Sequence, residues 1–113
     1  MVRRALRSAA QEVQHARLVG ALARRFGTPL FVYSAGVALE RFATLRGAFT
    51  RPVLVCYALK ANSSRALAGV LARAGAGADI VSGGELCRAR HAGFLPSRIV
   101  FSGVGKTEEE ITA

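Results

Sequence analysis

An amine and an amide close the apolar run Val53-Leu54-Val55-Cys56-Tyr57-Ala58, which continues as Leu59-Lys60-Ala61-Asn62. The chain carries sixteen Lys and Arg residues, and only Lys60 and Lys106 are Lys. Arg stays protonated, whereas a Lys in apolar surroundings can shed its proton and attack a carbonyl carbon. A Lys that ends a buried strand is therefore a candidate nucleophile, or else a strand-end residue whose stem snorkels to water. Asp79 opens a second apolar stretch after Gly75-Ala76-Gly77-Ala78. An acid there can stabilise a nearby ammonium or relay its proton, and it can equally bond local backbone amides.

Two further clusters follow apolar stretches: Ser82-Gly83-Gly84-Glu85 and Ser102-Gly103-Val104-Gly105-Lys106-Thr107. Glycine-rich loops at helix N-termini can cradle phosphate. Neither cluster carries a GxGxxG fingerprint, and the P-loop frame fails because Val100 stands where its first Gly belongs. Ser82 with Glu85, and Thr107 with Glu110, instead have the spacing of capping boxes, which makes Glu85 and Glu110 helix caps rather than catalytic acids.

The elements that must position these groups follow from periodicity. Residues 3–25 read as a helix, stopped by Phe26-Gly27-Thr28-Pro29, and Leu30–Tyr33 reads as a short strand. Val37 to Phe49 is helical, and the pattern then becomes regular. Strands are predicted at Val53–Tyr57, Asp79–Val81 and Ile99–Phe101. Helices are predicted at Ser64–Ala74, at Gly84–His91 and from Glu108 onward. Strand–helix alternation at this spacing means βαβ units and a parallel sheet, whose functional groups gather where strands end. A closed (β/α)₈ barrel takes about 250 residues, so 113 residues hold only part of one.

The chain is about half apolar, with no run near the ~18 residues of a membrane span. Its net charge of +9 comes from Arg spread at helical spacings without interleaved aromatics, which argues against nucleic-acid binding. Cys56 and Cys87 form no CxxC or metal-ligand spacing, and His15 and His91 stand alone, so no metal site is expected. Two buried, unpaired cysteines suit a reducing, cytoplasmic setting. The Arg-rich N-terminus lacks the apolar core of a secretory signal and reads as an amphipathic surface helix.

Four co-linear motifs carry a resemblance. Phe26-Gly27-Thr28-Pro29-Leu30-Phe31-Val32-Tyr33-Ser34 and Tyr57-Ala58-Leu59-Lys60-Ala61-Asn62-Ser63 are similar to segments of the fold-type III pyridoxal-phosphate decarboxylases. So are Gly77-Ala78-Asp79-Ile80-Val81-Ser82-Gly83-Gly84-Glu85-Leu86 and Phe101-Ser102-Gly103-Val104-Gly105-Lys106-Thr107. The branch acting on diaminopimelate is the nearest fit. Alanine racemases usually follow their Lys-Ala-Asn with a Tyr-Gly-His-Gly type sequence, whereas Ser63-Ser64-Arg65 stands here, and ornithine decarboxylases generally lack Ser-Gly-Gly-Glu-Leu.

The resemblance implies an α/β fold, the opening βα units of an alanine racemase-like (β/α)₈ barrel. On this reading residues 1–25 form a helical segment and 26–113 part of the cofactor-binding barrel. It implies pyridoxal 5'-phosphate as cofactor, carried on the amine of Lys60, with Asp79 and Ser82 beside it. The reaction implied is conversion of meso-diaminopimelate to L-lysine and CO₂ by a homodimer, with no nucleic-acid or membrane partner. Decarboxylation of another basic amino acid or a carboxylated polyamine, or a non-catalytic pyridoxal-binding role on the same barrel, remains open at this point. Strand Leu30–Tyr33 would pair with the family's C-terminal β-domain. The family's phosphate loops, the acid at its pyridine nitrogen and the cysteine donated across the dimer fall beyond position 113, which marks the chain as an N-terminal portion. The 113 residues alone, given cofactor and meso-diaminopimelate, are expected to release no measurable CO₂, and turnover in that assay would overturn this reading.

Overall fold

The computed structural model describes residues 15–112, and the chain divides between Val32 and Tyr33 into two compact units. In the first, residues 15–26 form helix α1, which ends where the Gly27 amide donates to the Ala23 carbonyl at 2.8 Å. The rest of the helix expected over 3–25 lies outside the described residues.

The second unit begins with α2 (Ala35–Gly47), capped by the Ser34 hydroxyl accepting from the Val37 amide at 3.3 Å. It continues as β1 (Cys56–Ala58), a 3₁₀ turn (Leu59–Ala61), α3 (Arg65–Arg73) and β2 (Gly77–Ile80). Helix α4 (Gly83–Ala92), a 3₁₀ turn (Pro96–Arg98), β3 (Ile99–Phe101) and α5 (Glu108–Thr112) complete it. The strands form one parallel sheet in the order β1-β2-β3, with Ala58 opposite Asp79 and Asp79 opposite Val100. Each strand is followed by a helix, as the alternation of patterns requires.

Strand alternation sorts the two faces. Ala78 and Ile80 are 0% and 1% exposed and join Leu59, Ala68, Leu71, Ala76, Ala89 and Phe94 in the core beneath α3 and α4. Asp79 points to the other face, with Cys56 and Val100. The core is built from small residues because the layers approach closely: a Cβ on Gly69 would sit 3.3 Å from the Ala92 carbonyl oxygen. Helix α4 stops at Gly93, whose φ of +93° an L side chain would resist. The Phe94 amide then turns back to the Ala89 carbonyl at 3.1 Å, seating Phe94 in the core. No helix among the described residues is long and apolar enough to cross a membrane.

Three strand expectations need correction. Leu30–Tyr33 is irregular and Phe31 is 84% exposed, because no strand of the described residues lies alongside to accept its hydrogen bonds. The strand expected at Val53–Tyr57 forms later, at Cys56–Ala58. The β2 partner begins only at Gly77, which leaves Val53–Val55 outside the ladder apart from the Gly77 amide donating to the Val55 carbonyl at 2.9 Å. The expected strand at Asp79–Val81 likewise starts two residues earlier and ends one earlier, at Ile80.

Gly77 is where β1, β2 and the start of β3 meet most closely. A Cβ there would lie 2.6 Å from the Arg98 carbonyl oxygen and 2.7 Å from Cys56 Sγ. Gly77→Ala is therefore expected to destabilise the unit by about 1–3 kcal/mol, as overpacking does, while Gly84→Ala, whose Cβ meets only Ser82 Oγ at 3.8 Å, is tolerated. Denaturant unfolding of the two variants checks the contrast.

Candidate functional site

The turn after β1 is fixed from both sides. Leu59 is fully buried in the core, so its neighbour Lys60 faces away from the core and is exposed. The Tyr57 hydroxyl donates to the Asn62 carbonyl at 2.8 Å, closing the loop over five residues. Burial, with a smaller contribution from Tyr33, pushes the Tyr57 phenol up, which keeps the donor protonated. Asn62 Oδ1 accepts from the Ser64 amide at 2.9 Å and organises the start of α3, a task Ser64's own side chain does not perform. Arg88 of α4 donates to Ser63 Oγ at 3.1 Å. Tyr57 and Asn62 are thus the supports of Lys60. The Asn62-to-Ser64 spacing of an Asx turn was the available signal for the second of them.

The Lys60 amine forms no hydrogen bond or ion pair with any other described residue, whereas Lys106 is fully engaged. Lys106 Nζ donates to the Gly103 carbonyl at 2.7 Å and sits 5.2 Å from the Phe101 ring centroid, stapling its own loop. The two lysines of the chain have opposite situations: one is structural, the other is available.

Asp79 lies on the next strand, opposite Ala58 and one residue short of the carboxyl end of β2. Its Oδ1 is buried without a hydrogen-bond partner among the described residues. A buried acceptor without a donor is costly, on the order of 1–3 kcal/mol, and such an atom calls for an explanation. Burial first, and the charge of Asp79 second, push the neighbouring Cys56 thiol up. Asp79 and Lys60 therefore share the same end of the sheet without forming an ion pair.

Ser82 is the N-cap of α4, its hydroxyl accepting from the Glu85 amide at 3.2 Å. Glu85 reaches back to accept from the Val81 amide at 2.9 Å. The Gly83 amide donates to Glu110 Oε1 at 2.7 Å, while the other Glu110 oxygen accepts from Thr107 at 3.1 Å. Thr107 Oγ1 accepts from the Glu110 amide in return at 3.2 Å. A carboxylate thus already occupies the Gly83 amide, which a phosphate at Gly83-Gly84 would need. The Thr107–Glu110 box forms as its spacing predicts, and Ser82 caps α4 while Glu85 bonds the amide one residue before the cap, but the reach of Glu110 across 27 residues to the α4 start is a feature that no local pattern contains.

Lys60, Asp79 and Ser82 all stand at the carboxyl end of β1 and β2. The family profile described as pyridoxal-dependent decarboxylase, pyridoxal binding domain, matches residues 36–113. The chain belongs to the pyridoxal-dependent decarboxylases. It is 57% identical over 91 residues to a diaminopimelate decarboxylase of Aquifex aeolicus, covering 80% of this chain and 21% of that protein. A Pseudomonas fluorescens diaminopimelate decarboxylase is 52% identical over 94 residues, covering 82% and 23%. The crystal structure of Helicobacter pylori diaminopimelate decarboxylase complexed with L-lysine superposes with a TM-score of 0.77 at 45% identity, covering 82% of this chain and 24% of that one. The chain spans about a fifth of the length of the curated relatives it matches. Its sheet and helices are those of the opening βα units of the family's barrel.

The residues present fit the family's cofactor. An aldehyde-bearing group needs an amine not already committed, and a group with hydrogen-bond donors would satisfy the orphaned Asp79 oxygen.

Glu110 generates a test of the loop clamp. The Gly83 amide chiefly, then the Thr107 amide, hold its carboxyl below the ordinary glutamate value of 4.5; burial opposes them, and the charge of Lys106 adds the least. A depressed folded-state value means the clamp contributes fully above about pH 4.5 and is lost as pH falls through the lower folded value. Glu110→Gln should remove that acid-side loss from the stability profile, measured as denaturation midpoint against pH between 6 and roughly 3. An unchanged acid limb would show that the clamp contributes nothing.

Proposed function

We propose that the chain is the pyridoxal-binding portion of a diaminopimelate decarboxylase, which converts meso-diaminopimelate to L-lysine and CO₂. Residues 26–113 supply the barrel units and residues 1–25 a separate helical segment. The observation that carries the reading is the uncommitted amine of Lys60, presented at the sheet's carboxyl end by the buried Leu59 beside it, in a chain this similar to diaminopimelate decarboxylases.

Lys60 holds pyridoxal phosphate through Nζ. When bound, the cofactor supplies an electron-accepting ring for the electron pair released as the α-carboxylate of an amino acid departs. Asp79 Oδ1 accepts a hydrogen bond from a donor on the bound group, in a place already withdrawn from water. The Ser82 oxygen is committed to the Glu85 amide, which leaves its hydroxyl hydrogen to donate toward the same group. Tyr57 and Asn62 hold the backbone of the turn from which Lys60 projects. The two free cysteines suit a reducing cytoplasm, and a homodimer is the assembly that the family resemblance supports.

Borohydride reduction makes an amine–carbonyl link permanent. After incubation with pyridoxal phosphate and reduction, peptide mapping should find the added mass on Lys60, and Lys60→Ala should abolish it while Lys106→Ala does not. Label on Lys106, or none at all, would refute the assignment.

A further inference from the structure

At the opposite, amino end of the same sheet lies a groove of about 780 Å³. Three arginines line it: Arg46 from the last turn of α2, Arg51 from the following loop, and Arg98 from the turn before β3. Phe42, Phe49 and Leu54 are among its apolar lining residues, and no carboxylate among the described residues lines it. Arg98 Nη1 donates to the Gly75 carbonyl at 2.7 Å. The guanidiniums of Arg98 and Arg46 converge there, at 3.4 Å and 3.9 Å from the point where a Gly75 Cβ would stand. Like charges brought this close repel, and the groove supplies no acid to offset them. Phe49, 51% exposed, presents an aromatic surface in the same place.

The geometry points to a binding site for a phosphorylated small molecule with an aromatic body, of the nucleoside diphosphate class. Guanidinium forks match phosphate oxygens in pairs, and aromatic faces accept a planar base. The volume lies within the usual range for small-molecule sites, about 300–1,000 Å³. Gly75, without a side chain, leaves the space between the two guanidiniums open to the anion. The site is separate from Lys60 because the two lie at opposite ends of the strands.

The test is calorimetric titration of the 113-residue chain with ADP and, separately, with inorganic pyrophosphate at low ionic strength, with circular dichroism checking that every variant keeps its helix content. ADP should bind more tightly than pyrophosphate, and its affinity should fall as salt is added. Arg51→Gln, a change in an exposed loop, and Arg46→Gln should each weaken ADP by about tenfold, the loss of one charge-assisted contact. Arg65→Gln, equally exposed but outside the groove, should leave the affinity unchanged. Absence of ADP binding overturns the proposal. So does equal weakening by Arg65→Gln, which would mean attraction by net charge alone, and so does equal affinity for the two probes, which would mean that the aromatic wall contributes nothing.

Discussion

A chain that leaves the end of a strand must fix its next turn by burying something, and after β1 the buried residue is Leu59. Leu59 packs into the same cluster as Leu71, Ala78 and Ile80, so the turn cannot rotate without withdrawing a leucine side chain from the core. Full burial of such a side chain is worth about 1.5–3 kcal/mol, which offsets a large part of the roughly 1–2 kcal/mol per residue that ordering the turn costs. The direction of Lys60 is thus a by-product of hydrophobic packing on its neighbour. Tyr57 and Asn62 refine that direction with hydrogen bonds, but the leucine sets it.

The same end of the sheet is tied together by acidic side chains on backbone amides. Glu85 and Ser82 close the α4 start locally, and Glu110 brings the start of α5 against it. Each carboxylate sits at a helix N-terminus, where the unpaired amides and the helix dipole both favour negative charge. The consequence for function is a division of roles. The glycine-rich loops here serve the architecture, while the buried Asp79 oxygen and the Lys60 amine, which the architecture leaves uncommitted, are the groups with chemistry to spare.

Much of this could be read from residue order, and what could not has a common cause. The capping boxes at Ser82 and Thr107 and the helix at Glu108 rest on interactions within a few residues, and each formed at or within a residue of its expected place. The Lys60 turn was legible because an apolar run ended in an amine and an amide. The register of β1 and the fate of Leu30–Tyr33 were not, since a strand exists only where a second strand accepts its hydrogen bonds, and apolar periodicity is silent about partners. The Glu110-to-Gly83 bond was hidden for the same reason.

The distribution of cations follows a physical logic as well. Of the two lysines, Lys106 spends its charge on a carbonyl and an aromatic ring, where an arginine could serve. Lys60 has no such engagement, and its position is the one where an amine able to lose its proton differs in kind from a guanidinium that cannot. At the other end of the strands the requirement reverses. Permanent charge and a planar fork are what hold an anion, and there the sheet displays Arg46, Arg51 and Arg98. A parallel sheet makes this separation natural, because its two ends are chemically unlike: strands exit toward helix N-termini at one and enter from helix C-termini at the other. Arg46 in the last turn of α2 adds its charge where the helix dipole is negative, so the cation that faces the groove is also favoured by the helix that carries it.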